Sequence, residues 1–138
     1  MAATTLDRNT KKRFVERQIV LTLAASTTIP AGVMVATNAS GLAVNASDTT
    51  ALKVQGISAH PASTVNGDIK IVVERGVFNM GNDGTITVAN VGTLATVLDN
   101  QTVSLAATTT NDIGAGYIEE VDADGVWTAM LGGFVAAA

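Results

Sequence analysis

Cysteine is absent from the 138 residues, and histidine occurs once. Disulfide staples and thiolate chemistry are thereby excluded, and a metal site would have to be built from His60 and carboxylates. Aromatics make up 4% of the chain although hydrophobic residues reach 47%. The core must therefore come from Val, Ile, Leu and Ala, each burying less area than a ring. A thin core of this kind is commonly supplemented by burial between subunits, so an obligate oligomer is expected. No apolar run approaches the roughly 20 residues that span a bilayer, so no membrane partner is expected. Residues 11–26 imitate a signal peptide, with Lys11-Lys12-Arg13 ahead of the apolar residues Ile19 to Ala25. That stretch is at the short limit and Glu16 interrupts its approach, so a first strand is expected there instead.

Basic charge is concentrated at one end. The first 17 positions hold Arg8, Lys11, Lys12, Arg13 and Arg17 against Asp7 and Glu16, a net +3, whereas residues 18–138 hold three basic against ten acidic residues, a net −7. This contrast marks a basic arm over residues 1–17 and an acidic body, with the arm made for another surface. Asp7 is able to cap a helix over Arg8 to Gln18, and an extended arm is equally open, because Leu6, Phe14 and Val15 form no continuous stripe. Nucleic acid is not the expected partner: an acidic body repels a duplex, and the arm interleaves one aromatic only.

The body, residues 18–131, is rich in Thr, Val and Ile with alternating polarity and sustains no long 3.6-residue apolar period. The pattern predicts a mainly β fold, a compact β-barrel or β-sandwich-like domain with an extended N-terminal arm and a short apolar C-terminal tail at 132–138. Strands are expected near 15–24, 32–37, 41–45, 51–59, 68–79, 84–89, 94–98, 102–106, 112–121 and 125–131. Asn66-Gly67, Asp83-Gly84 and Asp124-Gly125 supply turn chemistry between them. A faint repeat runs at an offset of 60: Gly32-Val33-Met34 returns as Gly92-Thr93-Leu94, Thr49-Thr50 as Thr109-Thr110, and Gly56-Ile57 as Gly116-Tyr117. Gly67-Asp68-Ile69 then answers Gly125-Val126-Trp127 after a two-residue deletion.

Catalytic constellations are weak. His60 has Ser58, Ser63 and Asp68 nearby in sequence, yet neither serine sits in a nucleophile elbow, and a solvated loop histidine accounts for the same residues. Glu119, Glu120, Asp122 and Asp124 imitate part of a calcium loop but lack the third ligand before Gly125 and the bidentate Glu after it. An acidic hairpin tip explains them better. Gly81-Asn82-Asp83-Gly84 lacks the Lys and helix of a phosphate loop. No enzyme, cofactor or metal is expected.

Two stretches carry a family resemblance. The first runs from Ile29-Pro30-Ala31-Gly32-Val33-Met34 through Val54-Gln55-Gly56-Ile57 to Gly67-Asp68-Ile69-Lys70 and Val77-Phe78. The second comprises Val97-Leu98-Asp99-Asn100-Gln101-Thr102-Val103, Ile113-Gly114-Ala115-Gly116-Tyr117-Ile118 and Val121-Asp122-Ala123-Asp124-Gly125-Val126-Trp127. Together they resemble the capsid decoration proteins of tailed bacteriophages, also called cement or head-stabilising proteins, which sit as small trimers on lambda-like heads. The resemblance implies a compact β-fold, a homotrimer on the capsid exterior of a virion, and clamping of adjacent major capsid protein subunits without any reaction. On this expectation Arg8, Lys11, Lys12, Arg13 and Arg17 meet shell carboxylates while Leu6 and Phe14 fill apolar gaps. The alternative is an adhesion or carbohydrate-binding β-module on a virion or cell surface, for which Trp127, Tyr117 and three Phe are the only rings at hand.

Overall fold

The computed structural model describes residues 2–131. The tail expected at 132–138 lies outside them. The fold is mainly β, 50% strand and 5% helix, and contains a closed five-strand barrel with extra strands. The strands are β1 (Lys12–Thr22), β2 (Thr28–Ile29), β3 (Met34–Thr37), β4 (Ala43–Asn45), β5 (Lys53–Ser58), β6 (Ala62–Ser63), β7 (Lys70–Asn82), β8 (Leu94–Val97), β9 (Thr102–Ser104), β10 (Gly114–Asp122) and β11 (Gly125–Met130). No strand forms at 84–89, where one was expected. Asp83 accepts from Thr85 N at 2.9 Å, and Thr87 and Asn90 form a reciprocal capping box around a 3-10 turn, Val88–Asn90. These side chains offer the backbone partners that a ladder would otherwise supply. The two-residue strands β2 and β6 are too short to show a period in the sequence.

The barrel closes through five pairings. β7 pairs β11, β11 pairs β10, β10 pairs β8, and β8 pairs β9, all antiparallel. β9 then returns to β7 in parallel, Gly81 opposite Thr102 and Asn82 opposite Val103. A second ring uses the same order. β1 pairs β7, β7 pairs β5, β5 pairs β3 and β3 pairs β4, again antiparallel. A parallel bridge from Ala43 to Leu23, with Ala24 N donating to Ala43 O at 3.0 Å, closes this ring on β1.

The two rings are copies of one unit. Met34–Ile57, Val35–Gly56 and Ala36–Val54 recur as Leu94–Tyr117, Ala95–Gly116 and Thr96–Gly114, each partner displaced by 60. Ala36–Val44 and Thr37–Ala43 recur as Thr96–Ser104 and Val97–Val103. The bonds Gly32 N to Ser58 O and Ser58 N to Val33 O, both 2.9 Å, return as Gly92 N to Ile118 O at 2.8 Å and Ile118 N to Thr93 O at 2.9 Å. The last strand differs from the sequence match. Ile57–Glu74 and Ser58–Val73 correspond to Tyr117–Ala129 and Ile118–Thr128, so β11 answers β7 at an offset of 55, and Gly125 corresponds to Lys70, not Gly67. The shift arises because a tight turn at Ala123-Asp124 replaces the β6 segment and the 3-10 turn Thr64–Asn66.

β7 belongs to both rings. Ile71 and Val73 join Leu23, Val33, Val35 and Ala43 in one core, while Phe78 and Met80 join Ala95, Val97, Val103 and Val126 in the other. The inward residues change from odd to even numbers along β7, which places the rings on opposite faces of it. β3 is buried on both faces, because Met34 and Ala36 pack into the second core while Val33 and Val35 line the first. Gly56 and Gly116 occupy the same bulge in the two units. A Cβ on either would collide with a backbone oxygen of the neighbouring strand, Glu74 O or Ala129 O, and Gly56 also has φ +149°.

Candidate functional site

The residues singled out from the sequence lie on β1 and the segment before it. β1 begins at Lys12, so a boundary after residue 17 falls inside a strand, and the segment is extended, not helical. The free basic arm inferred from charge segregation is thus folded onto the protein's own acidic body. Lys11 Nζ meets Asp124 Oδ2 at 3.0 Å, Arg13 Nη1 meets Glu120 Oε1 at 3.2 Å, and Arg17 Nε meets Glu16 Oε1 at 3.5 Å. Lys12 pairs with Glu74. Arg13 also lies over the Trp127 ring, 4.0 Å from its centroid. The body's excess of acid is therefore met in part by its own N-terminal segment, which sequence order alone does not reveal.

These contacts are unequal. Lys11, Arg13 and Arg17 and their partners are all 40% or more exposed, and such pairs are worth about 0–1 kcal/mol. Arg8 is committed to the interior: Nη1 donates to Thr10 Oγ1 at 2.7 Å and to Asn79 O at 2.9 Å. Burial lowers the Arg8 pKa, opposed by the charge of Asp99. Leu6 is 75% and Phe14 55% exposed. Val15 and Val20, which the sequence reading did not count among the contact residues, add exposed apolar surface on the same strand.

β1 is also open along its first half. Among the described residues it pairs with β7 only, from Lys12 opposite Phe78 to Thr22 opposite Lys70. From Lys12 to Gln18 every residue is exposed. Such an edge presents a row of unpaired backbone groups to whatever lies beside it.

The other candidates are taken up by local structure. His60 Nε2 accepts from Val72 N at 3.1 Å, which leaves the proton on Nδ1 to donate to Pro61 O at 2.9 Å. Ser58 Oγ donates to Pro30 O, and Ser63 Oγ bonds Thr28 Oγ1, so neither hydroxyl is turned to the imidazole. Asp122 Oδ1 accepts from Asp124 N and Gly125 N, and Oδ2 from Trp127 Nε1 at 2.8 Å. The Trp127 bond, with help from those backbone bonds, holds the Asp122 carboxyl below the usual carboxylate range. Among the described residues no group of three His, Asp or Glu is arranged to hold a metal ion. A cleft between Pro30 and Pro61 contains Asp7 and Asp68, each already accepting a backbone N–H, from Ala31 and Ser63 respectively. Compared with known proteins, the chain matches no family model, no curated protein and no solved structure.

Proposed function

We propose that this chain is a structural protein of a tailed-phage virion, a decoration or cement protein that binds the capsid exterior as a homotrimer. It clamps adjacent major capsid protein subunits. The observation that carries this reading is the surface of β1, where Phe14, Val15 and Val20 stand exposed beside cations held only by weak surface pairs. Exchanging Glu16, Glu120 or Asp124 for a shell carboxylate costs little, because one exposed pair replaces another. Affinity then comes from the apolar area that β1 buries and from several copies engaging one shell together. Lys11, Arg13, Arg17, Leu6 and Phe14 are the contact residues that this arrangement favours, with Val15 and Val20 added. Arg8 and Lys12 act mainly within the protein. The alternative, a carbohydrate-binding module, draws no support from Trp127, whose ring lies beneath Arg13.

The test is co-sedimentation of the full chain with empty heads of the phage that carries its gene, scored as copies per major capsid subunit. Saturable binding at a fixed ratio is expected, and Phe14→Asp combined with Val20→Asp should reduce it at least tenfold while the melting curve stays cooperative. Absence of binding by the unaltered, oligomeric protein would overturn the proposal.

A further inference from the structure

Asn66-Gly67 is the only Asn-Gly pair in the chain. It closes the 3-10 turn Thr64–Asn66 that joins β6 to β7, and Gly67 follows in the left-handed region at φ +86°. Asn66 is exposed, and among the described residues no hydrogen bond engages its carboxamide. A Cβ built on Gly67 would meet no atom within 4 Å, so open space adjoins the backbone that follows Asn66. The other asparagines differ. Apart from Asn9, each has its side chain hydrogen-bonded or buried. Asn9 is exposed too, but it precedes Thr10, whose branched side chain crowds its own nitrogen.

We propose that Asn66 is a modification site, at which the folded protein converts its own asparagine to aspartate and isoaspartate. Gly67 N attacks Asn66 Cγ and gives up its proton; the new N–Cγ bond closes a succinimide ring as the Cγ–NH2 bond breaks, and the amide leaves as ammonia. Water then opens the ring. Cleavage at Cγ restores the ordinary backbone with an aspartate, whereas cleavage at the backbone carbonyl of residue 66 leaves an isoaspartate, the chain running through the former side chain. Each conversion consumes one water and releases one ammonia, with no change of oxidation state. Glycine permits it because no Cβ stands against the closing ring.

The turn that must open is weakly held. Gly67 N reaches Thr64 O at 3.1 Å, and none of Thr64, Val65 and Asn66 is buried. Segments of this kind open at low free energy. The flanks are firm, because Ser63 N donates to Asp68 Oδ2 at 2.9 Å, Asp68 N to Ser63 O at 3.0 Å and Thr64 N to Thr27 O at 3.0 Å. Attack therefore requires the Gly67 bond to break and leaves β2, β6 and β7 paired. The product alters the cleft between Pro30 and Pro61. Asn66 lines it together with Asp7 and Asp68, so conversion sets a third carboxylate among groups that already repel one another. The mark records the age of the folded chain. It involves none of the β1 contact residues and is independent of the capsid reading.

The test incubates the full-length folded protein at mildly alkaline pH, which promotes loss of the Gly67 proton, and follows each asparagine by peptide mapping and mass spectrometry. Residue 66 should exchange amino for hydroxyl at least tenfold faster than Asn9, and enzymatic methylation should detect isoaspartate in its peptide. Ion exchange should resolve a more acidic form that co-elutes with Asn66→Asp and does not arise from Asn66→Gln, while circular dichroism shows both variants folded. The inference is overturned if Asn66 stays intact in the folded protein while the urea-unfolded chain converts it, if another asparagine converts first, or if the acidic form still arises from Asn66→Gln.

Discussion

Replacing Lys12 by Met keeps the methylene stem and removes the charge opposite Glu74. Glu74 is the one charged residue that is buried among the described residues, 7% exposed, and its carboxylate is satisfied by Lys12 Nζ on one oxygen and Gln18 Nε2, at 3.1 Å, on the other. Breaking a fully buried pair costs about 3–5 kcal/mol, because the remaining charge stays buried without compensation. Breaking an exposed one costs about 0–1 kcal/mol. Lys12 is 45% exposed and the Glu74 side chain 9%, which places the pair between these limits. The retained Gln18 bond lowers the cost further, so about 1–2 kcal/mol is expected, or about 3–8 °C in melting temperature for a domain of this size. The assay is urea unfolding of the wild type, Lys12→Met, Glu74→Gln and the double variant. A coupling energy of about 1 kcal/mol, weakened only slightly by 1 M salt, is expected from the cycle. If Lys12→Met lies within 0.3 kcal/mol of wild type, a margin typical of additive sites, and the coupling vanishes, the reasoning fails. Lys12 would then be as free as Arg17 to meet an external carboxylate.

Phe78→Ala should cost about 3–5 kcal/mol by the same unfolding assay, since Phe78 is fully buried where the second core meets the shared strand. Gly56→Ala and Gly116→Ala should each destabilise by more than about 2 kcal/mol, because an added methyl meets the backbone of the adjacent strand in both units; a neutral result at either position would show that the bulge opens freely. Arg13→Ala should cost about 0.5–1 kcal/mol and red-shift the emission of Trp127, the only tryptophan, by removing the cation that covers its ring. Burial raises the Asp83 pKa, but hydrogen bonds from Ser104 and Thr85 outweigh it and hold the carboxyl below its ordinary value. Its stabilisation is therefore present above about pH 4 and lost as pH falls through the lower folded value. Asp83→Asn should accordingly show a shallower loss of stability between pH 4 and pH 2 than the wild type, and parallel acid titrations would refute the assignment.

Nine of the ten expected strand segments are present with shifted ends, because Thr, Val and Ile alternate within them and Gly, Asn or Asp stand between them. The failure at 84–89 has a local cause, since Asp83, Thr87 and Asn90 bond to nearby backbone. The repeat was faint in sequence because it conserves pairing geometry more than side chains: Ile57 and Tyr117 occupy one position, as do Leu23 and Asn82. Its final offset was not recoverable, since a β6 segment in one copy stands where the other has a two-residue turn. The candidate contact residues were found by charge, but their cis partners Glu74, Glu120 and Asp124 lie 62 to 113 positions away from them.

Local rules act over a few residues, and to that range belong the strand content, the turns, the absence of thiol chemistry and the segregation of charge. Tertiary structure decided which faces and edges remain available. Ring closure through β7 joins residues far apart in the chain, and it folds the basic segment onto the acidic strands while leaving one edge of β1 unpaired among the described residues. Hydrogen-bond closure is a property of the whole circuit of strands, and no single strand's sequence specifies it.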